Sequence, residues 1–264
     1  MKPTLVFDLE TVPDVDGARR LHDFAGLADS DVAQALFALR RQETGGSDFL
    51  RHPLHRIVAI SVVLRNEEGV RVWSLGSEED GEAELIRRFF EGIERYTPVL
   101  VSWNGGGFDL PVLHYRALLH GVAAPRYWET GDDDASFRYN NYLSRFHWRH
   151  VDLMDVLAGY QARAVAPLDL IAQLLGQPGK MGMDGSQVWE AWLAGNRKGI
   201  RDYCETDVLN TWLVYLRFER MRGRLSTEGY HHELGLLEQR LESSGAPHLL
   251  AFLRRWRELR GTVE

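Results

Sequence analysis

The sequence predicts an α/β fold, in which an antiparallel three-stranded meander is followed by helices alternating with further strands. Two observations carry that expectation. Three β-branched or apolar runs, residues 4–11, 57–64 and 70–75, come first, and Asn66-Glu67-Glu68-Gly69 supplies turn chemistry between the last two. Helical periodicity then separates the later strands. An amphipathic stretch, 78–96, precedes the run 98–103, and a helix from Asp109 to about Leu119 precedes a short strand beginning at Val151.

The first strand reads Thr4-Leu5-Val6-Phe7-Asp8-Leu9-Glu10-Thr11. Side chains alternate faces along a strand, so Asp8 and Glu10 project from one side while Phe7 and Leu9 point into a core. Two hard oxygen ligands aimed at one point suit Mg²⁺ or Mn²⁺. An isolated D-x-E is equally well two exposed acids at a strand end, so the weight falls on acids elsewhere in the chain. Residues 14–51 read as a helical insertion. Asp29-Ser30 caps a helix with Val32, Leu36 and Leu39 at helical spacing, and Gly45-Gly46 ends it. The insertion leaves the chain beside Glu10 and Thr11, as a flap over a site or as a packing helix.

The run 98–103 leads into Asn104-Gly105-Gly106-Gly107-Phe108-Asp109. Three glycines allow close backbone approach to a ligand or a tight turn, and Asp109 stands where a helix cap would stand. The glycine spacing is not that of the dinucleotide fingerprint. Residues 122–149 interleave Arg126, Arg138, Arg145 and Arg149 with Tyr127, Trp128, Phe137, Tyr139, Tyr142, Phe146 and Trp148. That composition fits a single-strand binding groove, or an aromatic-rich loop packed on the domain. Asp152 reads as the cap of a helix. Helices are expected over 168–175, 186–194 and 200–221, and on the last of these Tyr203 and Asp207, four residues apart, share a face.

Taken together, Asp8-x-Glu10 on the first strand, Asn104 to Asp109 after a later strand, and Tyr203-x-x-x-Asp207 on a late helix resemble the three motifs of the DEDD exonuclease superfamily. Asp202 stands where the histidine of the other subtype would fall, so the tyrosine (DEDDy) subtype is indicated. Within the superfamily the chain resembles the predicted 3′-to-5′ exonucleases related to the proofreading domain of family-B DNA polymerases. The resemblance implies a ribonuclease H-like fold, with a five-stranded mixed sheet in the order 3-2-1-4-5 and helices on both faces. It implies catalytic and metal-binding roles for Asp8, Glu10, Asp109 and Asp207 around two divalent ions, with Tyr203 orienting the attacking water. Leu9, Thr11, Asn104 and Phe108 would hold the terminal nucleotide. The implied reaction releases nucleoside 5′-monophosphates from the 3′ end of single-stranded nucleic acid, DNA in preference to RNA. RNA processing of the RNase D type is the nearest alternative. A non-catalytic binding module on the same fold is the other, although its expected mark, loss of a metal-binding acid, is absent here. A haloacid-dehalogenase-type phosphatase would need Asp rather than Glu at position 10.

The resemblance spans about residues 2–222, giving an expected exonuclease domain over 1–222 and a helical extension over 223–264. The apolar residues of that extension, including Leu249, Phe252 and Trp256, need the domain or a partner to cover them. Net charge is −7 over 264 residues, which argues against a protein that coats nucleic acid through many phosphate contacts. The single cysteine, Cys204, excludes an internal disulfide and reads as a packed thiol. Apolar runs are far shorter than the about 20 residues of a membrane helix. With no secretory signal pattern at the N-terminus, the expectation is a cytoplasmic protein without a membrane partner. No polymerase region lies in these residues, so a polymerase or repair partner would be met in trans.

Overall fold

The central strand is the N-terminal one, and its neighbours follow from which runs can cover its two edges. The computed structural model describes residues 2–263. Strand β1, Thr4–Pro13, pairs antiparallel with β2, His55–Asn66, which pairs antiparallel with β3, Gly69–Ser74. Between β1 and β2 lie helices α1, Val15–Leu21, and α2, Asp29–Thr44. After β3 come α3, Glu82–Tyr96, and β4, Val99–Ser102, which runs parallel to β1. Helices α4, Asp109–His120, and α5, Pro125–Trp128, precede β5, His150–Asp152, which runs parallel to β4. The sheet order is β3-β2-β1-β4-β5, as expected.

Short helices α6, Leu153–Leu157, α7, Leu168–Leu174, and α8, Val188–Leu193, lead to the 25-residue α9, Arg197–Met221. Asn196 caps α9 by accepting the Gly199 backbone N–H. Two more helices close the chain, α10, Thr227–Glu242, and α11, Pro247–Val263. Among the described residues no helix is long and apolar enough to cross a membrane.

Each face of the sheet carries its own core. Val6, Val63 and Val101 pack with Trp212 and Leu216 of α9, and with Leu237 of α10 and Phe252 and Trp256 of α11. The apolar side of the extension is thus covered by this chain. On the other face Leu5, Phe7 and Leu9 pack with Phe89 and Ile93 of α3 and Leu113 of α4. Odd and even residues of β1 therefore serve opposite cores, and this parity assigns Asp8 and Glu10 to the α9 face.

Three local expectations are corrected. The insertion holds two helices, and α2 starts at Asp29 with Ala28 at its cap position; it buries Val32, Ala33 and Leu36 but leaves Leu39 exposed. The amphipathic helix α3 begins at Glu82 rather than Glu78, because Asp80 turns back to accept the Ser77 N–H and Gly81 caps the helix. The 122–149 segment divides its aromatics. Tyr127, Phe137 and Tyr142 are buried in the core, whereas Tyr139, Phe146 and Trp148 stay exposed.

Candidate active site

Asp8 and Glu10 sit in the middle of β1, and the chain bends directly after them. The β1–β2 register shifts between Glu10, which faces Ala59, and Thr11, which faces Ile57, leaving Val58 as an extra residue on β2. Such a bulge twists a strand and re-aims the side chains beside it. On α9, Tyr203, Cys204 and Asp207 meet this stretch. Ligating atoms of Asp8, Glu10 and Cys204 all lie within 4.8 Å of one another. The Cys204 thiol is 3.4 Å from the Asp8 carbonyl oxygen and 3.7 Å from Asp8 Oδ2. Burial and the charges of Asp8 and Glu10 push that thiol's pKa up, so it stays S–H and donates.

Asp109 arrives from a third element. It is the first residue of α4 rather than its cap, and its Oδ1 accepts the backbone N–H of Leu9 across 3.1 Å. That bond ties the start of α4 to β1 and sets the third acid beside the first two. The preceding loop is held by Asp152, whose two carboxylate oxygens accept the N–H groups of Asn104 and Gly106, each at 2.9 Å. Asn104 adopts a left-handed conformation with φ of 65°. Gly105 is required by this turn, since a Cβ there would overlap the Ser102 side chain. Ser102 in turn meets His150 Nε2 at 2.8 Å. The glycines thus serve the loop's own packing against β4 and β5.

The electrostatics of the four acids are dominated by burial, with Lys180 acting against it at Glu10 and Asp207. Burial raises the Asp8 carboxyl well above the usual range, and the charges of Asp109 and Asp207 raise it further. Burial does the same to Glu10, followed by the charges of Asp8, Asp207 and Asp109, while Lys180 pulls the other way. Asp109 is pushed up to about 7 and Asp207 to about 6, both chiefly by burial. For Asp207 a hydrogen bond from Tyr203 and the Lys180 charge act in opposition. The Tyr203 phenol is raised by burial and by its acidic neighbours Asp207, Glu10 and Asp8. Among the described residues, none of the four acids is in an ion pair. A proton or a bound cation relieves carboxylates in this state.

A cavity of about 560 Å³ adjoins the acids, lined in part by Leu9, Glu10, Thr11, Phe49, Phe108 and Trp189. Thr11 Oγ1 meets His55 Nδ1 at 3.0 Å. The Phe108 ring centroid lies 5.6 Å from that of Phe49 and 5.0 Å from that of His55.

The structure therefore brings Asp8, Glu10, Asp109, Tyr203 and Asp207 together, and sets Leu9, Thr11 and Phe108 along one cavity. Asn104 is not among the residues lining it. Sequence reasoning missed Phe49 and His55 on the cavity wall, Asp152 behind the glycine loop, and Lys180 as the opposing charge. Only the cap reading of Asp152 hinted at any of them.

Residues 47–256 match the family of predicted 3′-5′ exonucleases related to the exonuclease domain of PolB. The chain belongs to that family. The matched span includes Asp109, Tyr203 and Asp207 but begins after β1, so Asp8 and Glu10 enter the site on geometry. Among curated relatives, a DNA polymerase of Archaeoglobus fulgidus is 24% identical over 148 residues, 55% of this chain and 18% of the polymerase. DNA polymerase 1 of Sulfolobus acidocaldarius is 31% identical over 107 residues, 40% of this chain and 10% of that protein. The exonuclease-family chain thus matches only a small part of each polymerase's length. The solved family B DNA polymerase from Pyrobaculum calidifontis shares the fold, with a TM-score of 0.50 at 17% identity over 92% of this chain and 29% of that one. Membership of the family and the sheet order are both as the sequence led us to expect. Exonuclease domains of this type use divalent metals, and the carboxylate group at β1 is of a kind that holds them.

Proposed function

We propose that this chain is a metal-dependent 3′-5′ exonuclease that removes nucleoside 5′-monophosphates from single-stranded nucleic acid, DNA in preference to RNA. One observation carries the proposal: four acids from β1, α4 and α9, buried or half-buried, crowd into one place with Lys180 as the opposing charge. Asp8, Glu10, Asp109 and Asp207 are the residues that would hold two divalent ions, Mg²⁺ or Mn²⁺. When bound, such ions supply an activated water and stabilise the leaving 3′ oxygen.

The chain's own groups do the rest. Tyr203, bonded to Asp207 and with its pKa raised, keeps its proton at neutral pH and orients the attacking water by hydrogen bonding. Leu9 N–H, already donated to Asp109, fixes that carboxylate. The Phe108, Phe49 and Trp189 wall presents apolar surface to the terminal nucleoside, and Thr11 and His55 present polar groups.

The test is a 5′-labelled single strand incubated with Mg²⁺ or Mn²⁺. The expected result is a ladder shortening from the 3′ end that disappears with chelator and in Asp8→Asn. Intact substrate under every metal would refute the proposal. DNA and RNA strands run in parallel decide between the deoxyribonuclease reading and the RNA-processing one.

A further inference from the structure

The sequence singled out an arginine-and-aromatic segment that the acidic site does not absorb. Its exposed part lies elsewhere. Trp148 and Arg149, at the start of β5, line a second cavity of about 720 Å³ together with Lys2 and with Arg222 and Arg224 at the end of α9. Val99, the first residue of β4, also lines it and pairs with Thr4, the first residue of β1. The cavity is therefore at the opposite end of β1 from Glu10. Lys2 precedes Asp8 by six residues, which at about 3.3 Å per residue places the two ends about 20 Å apart.

The charge of this cavity is opposite to that of the chain. Four cationic side chains face two carboxylates, Glu219 and Glu233, in a protein of net charge −7. Both carboxylates are already matched. Glu233 is held by Arg65 through two hydrogen bonds of 2.7 and 2.9 Å, and Glu219 pairs with Arg222 at 2.8 Å. Arg222 also lies 4.4 Å from the Trp148 ring centroid. Among the described residues the Arg224 guanidinium has neither an ion-pair nor a hydrogen-bond partner, and Lys2 has no ion pair. Trp148 is 44% exposed at the rim of this cavity, a large apolar surface beside free cations. Cations that neutralise phosphates, next to an aromatic on which a base can lie, are the chemistry of single-strand recognition.

We infer that this cavity is a second nucleic-acid subsite, in which Lys2 and Arg224 take phosphates of a single strand and Trp148 takes a base. The inference rests on the exonuclease reading for its polarity: the strand enters with its 3′ end at the acids and its 5′ portion at Trp148. Because β1 is buried between the two ends, the strand passes around the fold, and at about 3.4 Å per stacked nucleotide at least about six nucleotides bridge them. A free mononucleotide offers the same phosphate-and-base chemistry, and the test separates the two sources.

The experiment measures binding in chelator, by fluorescence anisotropy, of labelled oligothymidylates twelve and three residues long to the full chain, with thymidine 5′-monophosphate and poly-glutamate as competitors. Arg224→Ala is expected to weaken binding of the twelve-mer about three- to tenfold and to flatten the slope of log K against log salt by about 0.7. Arg224→Lys is expected to restore most of the loss, and Trp148→Ala to weaken the twelve-mer by a similar factor. Arg255→Ala removes the same charge from an exposed position on α11 and serves as control. Equal losses in Arg255→Ala and Arg224→Ala would show diffuse charge and overturn the subsite. So would a three-mer as sensitive as the twelve-mer, or displacement by poly-glutamate as strong as by oligothymidylate. Displacement of the twelve-mer by the mononucleotide at equal phosphate concentration would assign the cavity to free nucleotide and overturn the strand reading. A chain that binds the twelve-mer through Arg224 yet never shortens it with metal would remove the exonuclease reading and leave the subsite. Shortening with unaltered Arg224→Ala binding would do the reverse.

Discussion

Two groups of carboxylates, buried or half-buried, lie along and just beyond the second half of β1, and they differ in what stands opposite them. Asp14, one residue beyond the strand, and Glu82, at the start of α3, both bond the buried guanidinium of Arg116, and His120 also reaches Glu82 at 2.7 Å. Burial raises the Asp14 carboxyl, but bonds from Arg116 and Gly17 and the charges of Arg116 and Arg20 outweigh it, leaving Asp14 below its ordinary value. At Asp8, six residues back, burial acts in the same direction and the neighbouring charges add to it. One group is a finished ion-pair network that holds α3 and α4 to β1. The other is the same material with only the Lys180 charge against it among the described residues. Burial alone does not mark a functional acid; burial without a partner does.

Removing the cation from the finished group is the strongest way to break this contrast. Arg116→Ala leaves Asp14 and Glu82 buried and unpaired, and should cost about 3–5 kcal/mol of stability in denaturant unfolding. A loss below about 1 kcal/mol would mean that the pair is not what offsets the burial of these acids. The converse change belongs to the unfinished group. Asp8→Asn should lower exonuclease turnover by about 10²–10³-fold while leaving the metal-free protein at least as stable as the wild type. A destabilised Asp8→Asn protein would say that Asp8 is structural, like Asp14.

Supplying the missing cation should sharpen the contrast from the other side. Mn²⁺ at a hundredfold excess over its Kd should stabilise the wild type by about 2.7 kcal/mol, a rise in melting temperature of about 5–10 °C for a chain of this size. Glu10→Gln should blunt that rise, and Arg116→Lys should leave it intact. Equal shifts in wild type and Glu10→Gln would remove Glu10 from the ligand set.

Much of this was legible in the residues, for physical reasons. A period of two along residues 4–11 settles which acids share a face, and a spacing of four on α9 puts Tyr203 over Asp207; both are local rules. The turn at Asn66 and the helices between later strands give the elements, and the sheet order followed from the resemblance they support. The β-bulge after Glu10 was not, because an extra residue on β2 changes no pattern in β1. Asp109 looked like a helix cap because it stands one residue from the cap position; only its bond from the Leu9 N–H, 100 residues away, shows that it faces β1. Asp152 was legible only for its weak bond to Asp155 N–H, at 3.4 Å, and not for the two stronger ones that shape the glycine loop. In 122–149, composition could not say which rings turn inward, since Tyr142 and Trp148 occupy the same kind of sequence and differ only in what the fold places above them.

The last effect is the most local in origin, because it starts from the ionisation of one acid. Asp109 has a folded pKa of about 7 against an unfolded value near 3.9. Between those values the folded state binds more protons than the unfolded state, so the stability of the metal-free protein falls as pH rises through this window and levels off above it. Three histidines, His150 buried and His55 and His114 half-buried, are pushed down to about 4, chiefly by burial, and act oppositely, withdrawing stability as pH falls below about 6.5. The wild type alone would therefore show a blurred profile. Asp109→Asn keeps the histidines and an oxygen for the Leu9 N–H but cannot ionise, so the difference between the two proteins reports the Asp109 charge together with its repulsion of Asp8 and Glu10. In chelator the variant's advantage should be absent near pH 4, grow up to about pH 7 and stay constant beyond. With Mn²⁺ the order should reverse at pH 8, because the wild type then gains its cation and the variant does not. A difference flat in pH would mean that Asp109 is ordinary in the fold, and that the comparison with Asp14 overstates how unfinished the β1 group is.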